Sequence, residues 1–254
     1  MHNAAFQKLG IDATYDFFEK SPEELENFIL EVRKKHVDGL SVSIPHKVEI
    51  MQFLDEVEGS AQKIGAVNTV FWSGEKLIGA NTDWLGFLNS FEQPIDGKKV
   101  VVLGGGGAAR AIVFALLEKK CDVTVITREA WEFEGIKKDF SVATDVITNL
   151  ADYDPEILVN ATPLGMKGEF EGQSFVEADW FTNHKPLVFD IVYNPRETQL
   201  LKDARAAGCE TIEGLKMLVN QAAIQFEKFT GTSVDAETMW EAAIAEFEKQ
   251  NLQK

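Results

Sequence analysis

Val100-Val101-Val102-Leu103-Gly104-Gly105-Gly106-Gly107-Ala108-Ala109-Arg110 passes from a β-branched run through four glycines into an apolar segment, Ala111 to Leu117. A continuous apolar run of this kind belongs to a strand covered on both faces of a parallel sheet, and the apolar segment after the glycines reads as a helix. Glycines at such a junction allow a tight turn and let a pyrophosphate approach the backbone. The helix start behind them supplies N–H donors and partial positive charge. A glycine-rich loop by itself is also a plain strand-to-helix turn; strand, loop, helix and second strand in succession give it its weight as a dinucleotide site.

Outward from this stretch the rhythm repeats. Val123 to Ile126, Ile157 to Val159 and Val188 to Ile191 are further apolar runs between helical stretches, so residues 99–214 read as a Rossmann-like α/β domain. Upstream, Gln93-Pro94-Ile95-Asp96-Gly97-Lys98 is polar and carries both Pro and Gly, which predicts a linker and a separate α/β domain over 1–98. There Ser21-Pro22-Glu23-Glu24 opens a helix running to about residue 35. Gly39 to Pro45 alternates, with Leu40, Val42 and Ile44 facing one way and Ser41 and Ser43 the other. Val67 to Trp72 and Lys76 to Ala80 flank a turn, and Asn81-Thr82-Asp83 opens a helix from Trp84 to about Phe91. Leu215, Leu218, Val219, Ala222 and Phe226, then Trp240, Ile244 and Phe247, recur at helical intervals, so two helices close the chain over 215–254.

The 254 residues carry 41 Asp and Glu against 25 Lys and Arg, a net charge of -16 that repels phosphate backbones and anionic lipid surfaces; neither nucleic acid nor membrane is an expected partner. Two cysteines, Cys121 and Cys209, and four scattered histidines provide neither a disulfide framework nor a zinc set. A reducing cytoplasm is the expected setting, since no apolar run approaches the roughly 18 residues of a membrane span and the first 20 residues do not read as an export signal. The oligomeric state is left between monomer and homodimer.

At the end of the Val123 to Ile126 strand, where an acidic residue would accept from a ribose 2′-hydroxyl, stand Thr127, Arg128 and Glu129. A guanidinium suits a 2′-phosphate, so NADP is favoured; Glu129 beside it suits a free hydroxyl and keeps NAD as the alternative. In the first 98 residues Ser43 with Lys47, Asn68 with Thr69, and Asn81-Thr82-Asp83 lie at ends of predicted strands. Singly, Lys47 reads as a surface lysine and Asp83 as a helix-start carboxylate. Together they lie where open α/β sheets bind ligands, and a lysine beside a carboxylate can pass a proton to or from a carbinol oxygen.

Ser41 to Lys47, Gly65 to Thr69, Asn81-Thr82-Asp83, Gly104 to Arg110, Asn160-Ala161-Thr162-Pro163-Leu164-Gly165-Met166, Asp190 to Pro195 and Gly214 to Ala223 together resemble the shikimate dehydrogenase family, in order and over nearly the whole chain. The resemblance implies two domains with the ligand in a cleft between them, and NADPH-dependent reduction of 3-dehydroshikimate to shikimate on the route to chorismate. Relatives that use quinate share most of the motifs. By the same resemblance Lys47 and Asp83 are the catalytic pair, and Ser43, Asn68, Tyr193 and Gln221 contact substrate. Gly104, Gly105, Gly106, Gly107, Ala108, Thr127, Arg128, Thr162 and Met217 contact cofactor, and the last helices pack back on the first domain. Thr127 and Glu129 depart from the family's usual Asn-Arg-Thr. In the family a strand and a Ser-x-Ser stretch precede the Met-His-Asn-Ala-Ala-Phe helix, which here begins at Met1. That departure raises a third expectation, a dinucleotide-binding module with little turnover.

Overall fold

The computed structural model describes residues 1–35 and 37–252, and they divide into two compact units, 1–86 with 219 onward, and 87–218. In chain order the first unit contains helices α1 (His2–Leu9) and α2 (Leu25–Lys35), strands β1 (Gly39–Ser41) and β2 (Glu56–Val57), helix α3 (Gly59–Ile64), strands β3 (Thr69–Ser73) and β4 (Lys76–Ala80), and most of helix α4 (Asp83–Leu88). The second unit holds β5 (Lys99–Leu103), α5 (Gly107–Glu118), β6 (Asp122–Thr127), α6 (Glu134–Phe140), β7 (Ala143–Val146), β8 (Ile157–Asn160), α7 (Ala178–His184), β9 (Leu187–Asp190), α8 (Gln199–Ala206) and β10 (Thr211–Glu213). The chain re-enters the first unit within α9 (Gly214–Thr230) and ends in α10 (Ala236–Leu252). Residues 253 and 254 of the expected last helix lie outside the described ones.

The first unit is built on a four-stranded sheet of order β1-β3-β4-β2, antiparallel except for the β2–β4 pair. Leu25 and Ile29 of α2 pack with Val42, Ile50, Ala61, Val67, Val70 and Leu77 in its core. The hairpin β3–β4 forms as its alternation predicts, Ser73 pairing with Lys76 across a turn in which Gly74 takes φ 61°. The strand expected to run to Pro45 stops at Ser41 instead. Pro45 has no N–H for a ladder, the His46 N–H closes a turn onto the Ser43 carbonyl at 2.9 Å, and Ile44 is left 85% exposed rather than inward.

The second unit carries a six-stranded, wholly parallel sheet of order β10-β9-β8-β5-β6-β7. Its four central strands are those read from the apolar runs. The edge strands β7 and β10 are short and half polar, and only pairing reveals them. Residues 93–98 do not act as a linker: Ile95 is buried, its carbonyl accepts from the Cys121 thiol at 3.1 Å, and the Gly97 N–H donates to the Lys119 carbonyl at 3.0 Å. Burial of Ile95 and these two bonds hold the segment to the second unit, and the chain passes between units inside α4 and α9. The helix expected to reach Phe91 ends at Leu88 in single turns, with Phe87, Phe91 and Phe189 clustered at centroid separations of 5.0–5.5 Å. Among the described residues no helix is long and apolar enough to cross a membrane.

Asp190, at the end of β9, is fully buried and accepts from Thr198 Oγ1 at 2.6 Å, Asn160 Nδ2 at 2.9 Å and the Val192 N–H at 3.0 Å. Burial pushes its carboxyl up to about 6 in spite of these three donors. A folded-state value above the ordinary 3.8 means that the folded protein binds this proton more tightly than the unfolded chain. Its stabilising contribution is therefore complete below pH 3.8 and is lost as the pH rises through about 6. Carboxyl-carbon NMR is expected to give a midpoint near 6 for Asp190; an ordinary carboxylate midpoint would show the site to be wetter than its burial indicates.

Candidate active site

Three backbone ties bring the polar clusters of the first unit together. The Asn68 N–H donates to the Ala80 carbonyl at 3.0 Å, the Val42 N–H to the Asn68 carbonyl at 2.7 Å, and the Val67 N–H to the Lys47 carbonyl at 2.7 Å. The segment ahead of β3 thus lies between the loop bearing Lys47 and the end of β4, and Asp83 follows β4 at the start of α4. Lys47 Nζ donates to Asp83 Oδ2 at 2.7 Å, with the side chains 19% and 10% exposed. The other carboxylate oxygen, Oδ1, accepts from Asn68 Nδ2 at 2.8 Å. Asn68 Oδ1 accepts from the Thr82 N–H and from Thr69 Oγ1, each at 2.7 Å, and this fixes which end of the amide faces Asp83. The Asp83 N–H is held by Asn81 Oδ1 at 3.0 Å. Both ends of the carboxylate are therefore engaged, and the ammonium keeps two further donor positions.

Of the residues expected here, Lys47, Asn68, Asp83 and Gln221 form one connected group; Gln221 Oε1 accepts from Asn68 Nδ2 and from Thr82 Oγ1, both at 3.4 Å. Ser43 is exposed four residues before Lys47. Tyr193, 45% exposed, and buried Met217 belong to the second unit.

Gln225, not singled out by the sequence, is a further member, 3% exposed. Its Nε2 donates to the Asn68 carbonyl at 3.1 Å and to Thr69 Oγ1 at 3.0 Å, while Oε1 accepts from Ser41 Oγ at 2.8 Å. It stands one helical turn beyond Gln221 on α9, a spacing that places both amides on one face. Because it bonds the backbone that carries Asn68, Gln225→Ala is expected to lower kcat about tenfold through a misplaced Asp83, with Gln225→Asn recovering little because the amide sits one methylene short. Equal kcat in Gln225→Ala and the parent chain would remove it from the site.

In the second unit Gly104 follows β5 with φ 108°, and its N–H donates to the Ile126 carbonyl at 2.8 Å. A Cβ there would lie 2.9 Å from Thr162 Cγ2, and one on Gly105 would collide with the Glu132 carbonyl oxygen, so neither position admits a side chain. A Cβ on Gly106 or Gly107 would meet open space, so on that side the backbone is accessible to a ligand. Gly106 caps α5, whose first turn presents the N–H groups of Gly107 and Ala108. Thr162 is turned to its own loop, donating to Asn160 Oδ1 at 2.7 Å. Thr127 is 2% exposed and its hydroxyl donates to the Glu129 carbonyl at 2.8 Å, so the hydroxyl is engaged within its own turn. Arg128 is exposed and pairs with Glu132, which the sequence reading passed over in favour of Glu129.

The strand order of the second sheet reverses between β5 and β8, where the glycine loop emerges. Open α/β sheets receive dinucleotides at such a switch point. A chain with this domain, and with an ammonium–carboxylate pair able to move an alcohol proton, falls in the class of NAD(P)-dependent oxidoreductases.

Residues 1–70 match the shikimate dehydrogenase substrate binding domain, 94–222 a putative NAD(P)-binding family, and 214–244 the shikimate 5'-dehydrogenase C-terminal domain. Shikimate dehydrogenase (NADP(+)) of Geobacillus kaustophilus is 38% identical over 96% of this chain and 91% of that protein; the Methanocaldococcus jannaschii counterpart is 37% identical over 98% and 92%. The crystal structure of the Thermus thermophilus enzyme with NADP(H) and shikimate matches with a TM-score of 0.87 and 33% identity, covering 96% of this chain and 92% of that one. The Listeria monocytogenes enzyme, solved with shikimate and NAD, matches with a TM-score of 0.86 and 32% identity over 95% and 90%. The chain belongs to the shikimate dehydrogenase family.

Proposed function

We propose that this chain interconverts shikimate and 3-dehydroshikimate with NADP as cofactor, with Lys47 as the group that exchanges the alcohol proton and Asp83 as its partner. The observation that carries the assignment is the 2.7 Å contact between Lys47 Nζ and Asp83 Oδ2 with Asp83 Oδ1 held by Asn68.

Oxidation of a secondary alcohol removes a hydride from carbon and a proton from oxygen. A dinucleotide held at the glycine loop would supply the hydride acceptor for oxidation and, in its reduced form, the hydride donor for the reverse direction. In reduction the Lys47 ammonium donates a proton to the carbonyl oxygen as that oxygen becomes an alkoxide; in oxidation the neutral amine takes it back. Asp83 orients Nζ through Oδ2, and its fixed carboxylate accepts from a neighbouring substrate hydroxyl. In this reading Gln221 offers its amide to a remaining hydroxyl, and Asn68, whose Nδ2 and Oδ1 are engaged by Asp83, Gln221, Thr82 and Thr69, meets substrate by exchanging one of these bonds for one to a hydroxyl. Ser43 and Tyr193 are the further substrate contacts in this reading. Gly104 to Ala108 would hold the pyrophosphate on backbone N–H groups, Arg128 would pair with the 2′-phosphate, and Thr127, Thr162 and Met217 would line the cofactor's seat.

A cytoplasmic setting agrees with two buried cysteines that are not paired in a disulfide. Quinate with NAD is the second reading, and its cofactor is favoured by the carboxylate of Glu132 beside Arg128. Initial rates on shikimate and quinate with each cofactor separate the two. Shikimate with NADP+ is expected to be fastest, and faster turnover of quinate with NAD+ would reverse the assignment.

A further inference from the structure

Beyond β6 the chain folds back so that Glu132 accepts at both ends of its carboxylate. Oε2 takes the Arg128 N–H at 3.1 Å and, more weakly, the Glu129 N–H at 3.4 Å, while Oε1 takes Arg128 Nη2 at 3.2 Å. Two backbone N–H groups and one arm of a guanidinium are a donor set suited to an oxyanion. Here an anion from the chain itself already holds it. The carboxylate is the more sheltered partner, its side chain 23% exposed against 64% for Arg128. The same turn lies directly on the glycine loop, since the Glu132 carbonyl oxygen takes the space of a Gly105 side chain. The donors therefore stand beside the path of a dinucleotide, at the strand end where the adenosine ribose is read.

We propose that Glu132 determines cofactor specificity: its carboxylate occupies the donors that a ribose 2′-phosphate would use, and so holds down the preference for NADP over NAD. This rests on the dinucleotide reading of the glycine loop given above. A 2′-phosphate arriving here must displace the carboxylate from Arg128 or lie next to it, like charge against like charge. A free 2′-hydroxyl has no such conflict and can donate to an oxygen of Glu132. Glu129 gives its N–H to this donor set, and its exposed side chain adds further negative charge beside it.

Calorimetric titration of the full chain with NADP+ and with NAD+, in the absence of shikimate, tests this without requiring turnover. Glu132→Gln and Glu132→Ala are expected to bind NADP+ about tenfold more tightly than the parent chain, while NAD+ binding does not tighten. Adenosine 2′,5′-bisphosphate should follow NADP+, and ADP should follow NAD+. An unchanged NADP+ affinity, or parallel shifts for both cofactors, would reduce Glu132 to a cap of its turn and overturn the proposal. Failure of the parent chain to bind either dinucleotide would instead remove the reading of the glycine loop, and this inference with it.

Discussion

Lys47→Ala is expected to lower kcat for shikimate oxidation by about 10²- to 10⁴-fold, the span of a lost general acid–base group. Calorimetry should show the NADP+ affinity little changed, because the donors assigned to the dinucleotide lie in the glycine loop and none comes from Lys47. The fold is expected to survive. Lys47 lies in a loop, and its backbone tie to Val67 uses the carbonyl, which alanine keeps. The substitution leaves Asp83 without its ammonium partner, but Asn68 Nδ2 and the Asn81 amide oxygen still position it. Lys47→Arg tests geometry apart from charge. A guanidinium preserves the cation at the Asp83 carboxylate but does not surrender a proton near neutral pH, so it should rescue little of kcat. Full activity in Lys47→Arg would mean that position 47 supplies charge only.

Gly105→Ala is expected to abolish detectable dinucleotide binding and to lower thermal stability, because the new Cβ collides with the Glu132 carbonyl oxygen and the turn after β6 has to move. A backbone atom cannot step aside as a flexible side-chain tip can, and displacing the turn also disturbs Arg128. Gly106→Ala is the paired control. A Cβ there has no protein atom within 4 Å, so the unfolding temperature should stay near that of the parent chain, whereas affinity for NADP+ should fall at least about tenfold if, as proposed, the pyrophosphate lies where the methyl group would stand. Losses of stability in both, or unchanged binding in Gly106→Ala, would place the ligand somewhere other than the open side of the loop.

The sheet of the second unit was legible where its strands are covered on both faces, since Val100 to Leu103 and Ile157 to Val159 can be little else. Its edges β7 and β10 were not, because Ala-Thr-Asp-Val and Thr-Ile-Glu carry no period that separates an edge strand from a loop. Ile44 misled the alternation argument: a period of two continues through Pro45 on paper, while the backbone turns before it. The misread linker has a similar origin, for Pro94 and Gly97 mark a turn whether or not Ile95 between them finds a core. Lys47, Asn68 and Asp83 were readable as a set only through their common place at strand ends and through the family resemblance. Gln225 and Glu132 were within reach of a spacing argument, each four residues from a residue already chosen, Gln221 and Arg128 respectively. What spacing cannot supply is the partner: the Asn68 carbonyl for one, the N–H groups of Arg128 and Glu129 for the other.

The central claim is that the ammonium of Lys47 and the carboxylate of Asp83 serve the oxidation of shikimate, and the formation of NADPH from shikimate and NADP+ by the purified 254-residue chain measures it. The account predicts steady turnover that Lys47→Ala nearly eliminates while NADP+ still binds. Turnover that survives in Lys47→Ala, or a parent chain that binds NADP+ and never reduces it with shikimate, would contradict it.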